Sequence, residues 1–91
     1  MRSVHSSIAN PPTERQIAIL AFICTNWLER GWAPTLREIG AKFSIRSTNG
    51  VNEHLRALVR RGLLRRQPLL SRAMAVTMAG QDILEERGLL P

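Results

Sequence analysis

Ninety-one residues are enough for one small hydrophobic core and too few to divide between two. The lone Cys24 excludes an internal disulfide framework and a multi-cysteine zinc site, and no apolar run reaches the length of a membrane helix. The net charge of +6 is local: between Ser44 and Arg72 seven arginines face one acid, Glu53, and the remainder of the chain balances to zero, which directs attention to a polyanionic partner for that segment.

Residues 1–12 read as a flexible arm ending in Asn-Pro-Pro, without the apolar centre of a signal peptide. The cytoplasm is the expected location. Thr13 and Gln16 form a capping box, and Ile17, Leu20, Ala21, Cys24 and Leu28 recur at helical spacing, which predicts a first helix to about Arg30 with Gly31 as its stop. Trp27 and Trp32 bracket its end and are expected to staple it to the sheet.

Pro34 keeps Ala33 extended, Thr35 and Glu38 make a second capping box, and Leu36, Ile39 and Phe43 give a second helix its inner face. Gly40 is placed to let another backbone pass close. Ser44, Ile45 and Arg46 make a turn anchored by Ile45, and Ser47 or Thr48 caps a third helix running to about Arg61. That helix buries Val51, Leu55 and Leu58, turns Asn49, Asn52, Glu53, Arg56 and Arg60 outward, and ends at Gly62. A strand over Leu63–Gln67, a loop over Pro68–Ser71 and a returning strand over Arg72–Met78 follow, the latter with Met74, Val76 and Met78 on one face. Gly80–Gly88 is expected to add a short C-terminal helix.

The fold predicted is mostly α with a small antiparallel β-wing: a winged helix-turn-helix with a three-helix core and a two-stranded hairpin over 13–78, followed by the segment 79–91. The second helix of such a motif enters the DNA major groove with its first residues at base edges. Here those residues are Ser47, Thr48, Asn49, Gly50, Asn52 and Glu53. Asparagine can pair with adenine, glutamate can accept from the cytosine amino group, and serine or threonine can serve base or phosphate. Gly50 is read as clearing space where the helix would press on DNA. Thr35, Arg46, Arg56, Arg60, Arg65, Arg66 and Arg72 are the expected phosphate contacts, with Arg72 equally suited to bracing the wing.

Four segments, TERQIAILAFI, GWAPTLREIGAKF, STNGVNEHLRALVRRG and SRAMAV, together resemble the DNA-binding domain of LexA, the repressor of the SOS response, from Thr13 to about Met78. The resemblance implies base contacts at Ser47, Asn49, Gly50, Asn52 and Glu53 and binding of a homodimer to a palindromic operator on double-stranded DNA, with transcription repressed at the nucleoid. The best-known members have Ala and Glu where this chain has Gly50 and Asn52. The family's self-cleaving serine–lysine protease domain, which also dimerises, has no counterpart in these residues. Lys42 is the one lysine and has no serine partner, so no catalysis is expected.

His54 reads as a packing residue, and with His5 alone beside it no metal set can be assembled. No cofactor is expected. Cys24, on an apolar face, reads as core rather than as a redox sensor. Pairing, without the usual domain, is assigned to Leu69 and Leu70 at the wing tip or to a C-terminal seam containing Ile83 and Leu84, although those two can equally fold onto the chain's own core. The rival reading is an interaction protein that pairs with a full-length repressor or another partner through the wing and C-terminal segment. Positive charge favours the DNA binder, because a DNA mimic should be acidic, whereas the wing leucines favour the rival.

Overall fold

The computed structural model describes residues 11–67 and 73–90. Leu69, Leu70 and Arg72 lie outside the described residues, as does most of the N-terminal arm.

Helix α1, Glu14–Arg30, begins at a complete capping box: Gln16 N–H donates to Thr13 Oγ1 and Thr13 N–H donates to Gln16 Oε1, both at 3.1 Å. It ends where Gly31 takes φ 85° and its N–H bonds Trp27 O, a left-handed stop that glycine reaches without a Cβ clash. The expected stripe is corrected in one respect. Ile17, Leu20 and Cys24 are buried as expected, but so are Ile19 and Ile23, while Leu28 is 62% exposed. A single stripe presumes a single neighbour, whereas the other helices and the second strand all pack against α1. Its buried arc therefore widens to roughly half the circumference. Asn26, also buried, satisfies its amide by donating to Phe22 O at 2.9 Å.

Helix α2, Leu36–Phe43, starts at the Thr35–Glu38 capping box. Phe43 meets Phe22 of α1 edge to face at 5.8 Å between ring centres, and Lys42 Nζ stands 5.9 Å over the same Phe22 ring. A Cβ on Gly40 would lie 2.9 Å from Ile45 O, so the glycine lets the turn fold tightly over the helix, as its placement suggested. Ser44 carries the reversal at φ 57°. Helix α3, Thr48–Arg60, is capped by Ser47 and buries Val51, Leu55, Ala57 and Leu58.

Strands β1, Leu64–Arg66, and β2, Met74–Val76, pair antiparallel with Leu64 opposite Val76 and Arg66 opposite Met74. Trp27 Nε1 donates to Met74 O at 2.7 Å, making the expected staple between α1 and the sheet. The returning strand stops earlier than expected. Met78 is 78% exposed and opens helix α4, Met78–Glu86. Thr77 ends the strand by accepting from Gly80 N–H as N-cap while its hydroxyl donates to Gly62 O at 2.6 Å. A Thr-x-x-Gly start lacks the glutamate or glutamine of a capping box, so the helix begins two residues before the expected Gly80.

Gly80 itself is buried, and a Cβ there would collide with Leu63 O and lie 2.7 Å from Val76 Cγ1. Because one obstacle is backbone, Gly80→Ala is expected to lower stability by about 1–3 kcal/mol through overpacking, despite alanine's helix preference. Urea unfolding checks this; an unchanged or raised midpoint would contradict the packing.

Within α4, Leu84 is wholly buried among core residues from α1, α2, α3 and both strands, and Ile83 and Leu90 pack partly against that core. The C-terminal seam thus loses Leu84, because the side chain is consumed by its own fold. Among the described residues no helix is long and apolar enough to cross a membrane.

Candidate nucleic-acid interface

The buried side chains of α3 fix which of its residues are left facing out. With Val51, Leu55 and Leu58 inward, the helical period leaves Thr48, Asn49, Glu53, Arg56 and Arg60 exposed and Asn52 and His54 half-buried. Arg46 in the turn and Arg65 on β1 are exposed as well. The expected base-edge residues accordingly converge on the first two turns of one helix, with cations along its flanks.

Several of these side chains already have partners. Ser47 Oγ accepts from Gly50 N–H at 3.0 Å and Thr35 Oγ1 accepts from Glu38 N–H at 3.0 Å, so each hydroxyl works as a helix cap and retains its own O–H to donate. Glu53 and Arg56 form an exposed ion pair at 3.4 Å, of the kind that contributes little to stability.

Gly50 has an internal reason that the sequence did not suggest. A Cβ there would stand 2.8 Å from Ile45 Cγ2. The missing side chain makes room for the turn's anchor, a second reason for glycine beside the expected clearance for DNA.

Arg65 and Arg66 also separate. Successive strand residues point to opposite faces, so Arg66 shares the face of buried Leu64 while Arg65 is exposed. Arg66 Nη2 donates to Asn52 Oδ1 at 2.6 Å, and burial, with the nearby Arg56 charge second, pushes the guanidinium below the ordinary arginine value. The period-2 alternation from Leu64 was the available signal. Arg37, absent from the sequence-based set, is exposed and lines a concave elbow with Arg46, Ser47 and Thr48. Its sign was visible, but not its nearness to the turn.

Cys24 is 7% exposed, and burial pushes its thiol up, which disfavours the reactive thiolate. Among the described residues no group of three or more His, Cys, Asp or Glu could hold a metal ion.

A three-helix core with a tight α2–turn–α3 unit, followed by a paired hairpin carrying arginines to the flank of α3, is a winged helix-turn-helix domain. The family model described as the LexA DNA binding domain matches residues 9–73. The chain belongs to that family. It is 50% identical over 72 residues to the LexA repressor of Anaeromyxobacter dehalogenans (strain 2CP-1 / ATCC BAA-258), covering 79% of this chain and 32% of that protein. Against the LexA repressor of Sorangium cellulosum (strain So ce56) the identity is 60% over 62 residues, 68% of this chain and 27% of that protein. The LexA repressor of Myxococcus xanthus (strain DK1622) is 50% identical over 72 residues, 79% of this chain and 32% of that protein. The chain thus spans 27–32% of the length of these relatives.

Proposed function

We propose that the chain is a sequence-specific double-stranded DNA-binding protein and a LexA-like transcriptional repressor, without catalytic activity, acting on the nucleoid as a homodimer on a palindromic operator. Residues 13–78 carry the DNA contacts. The observation that supports this most is the exposure of Asn49 and Glu53 on the first two turns of a helix whose opposite face is locked into the core. Such a helix presents its polar groups rigidly, which groove reading requires. Thr48 and the free O–H of Ser47 complete the reading edge, and Asn52 joins it from the second turn. Arg37, Arg46, Arg56, Arg60 and Arg65 are the phosphate contacts, with Thr35 adding a hydroxyl donor. Pairing through the wing or through the exposed Leu89 fits better than pairing through Leu84, which is internal. The same burial weakens the rival reading of a protein-partner module built on the C-terminal segment.

Counterion release makes the phosphate contacts measurable. Each contact removed flattens the log–log dependence of affinity on salt by about 0.9. Arg46→Ala and Arg65→Ala are each expected to do so while weakening operator and random duplexes alike, as followed by fluorescence anisotropy across a salt series. An unchanged slope in both variants would place those side chains off the DNA.

A further inference from the structure

The bond between Arg66 and Asn52 bears on which base the helix reads. It joins the wing strand to α3 across 14 residues of sequence, at 2.6 Å. A guanidinium carries five donors and no acceptor, so the Asn52 atom facing it must be the carbonyl oxygen, and turning the amide over would set N–H against N–H. Arg66 is itself a half-buried residue on the face of β1 that carries buried Leu64. Asn52 Nδ2 keeps two N–H donors and has no hydrogen-bond partner among the described residues.

Bidentate pairing of asparagine with adenine needs both amide atoms, the oxygen for N6–H and the nitrogen for N7. Guanine instead offers two acceptors, N7 and O6, while cytosine offers only its N4–H donors. We propose that Arg66 is a positioning residue which holds the Asn52 oxygen toward the wing, so that Asn52 presents donors to the major groove and selects guanine against cytosine at one position of each half-site. The inference rests on the reading of α3 as the DNA-reading helix.

Selection of bound sites from random duplex DNA, run in parallel on the full chain and its variants, tests it. The parent should prefer guanine over cytosine by about tenfold or more at one position per half-site, the discrimination of a good base contact. Asn52→Ala should erase that preference there and nowhere else, which identifies the position. Arg66→Met removes the donors but keeps an apolar stem; it should shift the same position toward adenine or level it to within about threefold, with the remaining motif intact. Arg66→Lys, which keeps a charged donor, should restore part of the guanine preference. Thermal melting of each variant identifies any that fail to fold, and Arg66→Leu, which also has no donor, replaces Arg66→Met in that event.

A parent profile retained by the Arg66 variants, or a uniform weakening at every position, would overturn the positioning role while leaving α3 as a reader. Adenine preferred by the parent at the Asn52-dependent position would overturn the donor presentation. Recovery of no motif by the parent would overturn base reading itself and the inference with it.

Discussion

Truncating Leu84 to alanine is expected to destabilise the fold by about 2–5 kcal/mol, the range for removing a fully buried leucine side chain and leaving a cavity. Leu84 is 0% exposed and packs with Leu20, Leu58 and Leu64 in one continuous core. Helix α4 contacts both α1 and β2, so the cavity would open where three elements meet and little relaxation could close it. Small domains have only about 5–15 kcal/mol to lose, and the variant should unfold at a much lower urea concentration than the parent. A loss below about 1 kcal/mol would contradict the core assignment and return Leu84 to the surface. Because of the same packing, any truncation that removed α4 would report on folding rather than on pairing. Pairing is better tested by Leu89→Ser, at an exposed leucine, on full and half operators.

The second large effect concerns DNA. Asn49→Ala is expected to cost about 1–3 kcal/mol on the preferred operator, the worth of a good bidentate base contact, and almost nothing on random duplex DNA. Asn49 is exposed in the first turn of α3, whereas the helix is held by Val51, Leu55 and Leu58. Truncating it therefore removes a reading group without disturbing the frame, and the urea midpoint should not fall. Competition titrations against operator and random DNA measure the two losses side by side. Equal losses on both would reduce Asn49 to a positioning contact.

Much of this architecture was legible in the residues. Both capping boxes, the Gly31 stop, the Gly40 close approach and the Val51–Leu55–Leu58 face follow from local rules, because caps and helical spacing act within a few residues. What escaped were consequences of neighbours remote in sequence. Ile19 and Ile23 lie off the expected stripe and are buried because α1 is packed from several sides. Gly50 answers to Ile45, and Gly80 to the Leu63 carbonyl. Thr48, Asn49 and Glu53 of the expected reading set are exposed on one helix, yet the tie between Arg66 and Asn52 depends on how β1 lies along α3. Strand alternation could have separated Arg65 from Arg66, but only the packed structure supplies the acceptor that Arg66 finds.

The measurement that bears most directly on the proposed function is selection of bound sites by the parent chain from a random pool of duplex DNA at a stated salt concentration. Enrichment of an inverted repeat, with bound complexes containing two protomers per site, is the result expected of a helix that reads bases and a repressor that pairs on its operator. A pool that stays random through successive rounds, although the protein still binds DNA with a steep salt dependence, would contradict sequence-specific reading and leave a basic module that grips phosphates alone.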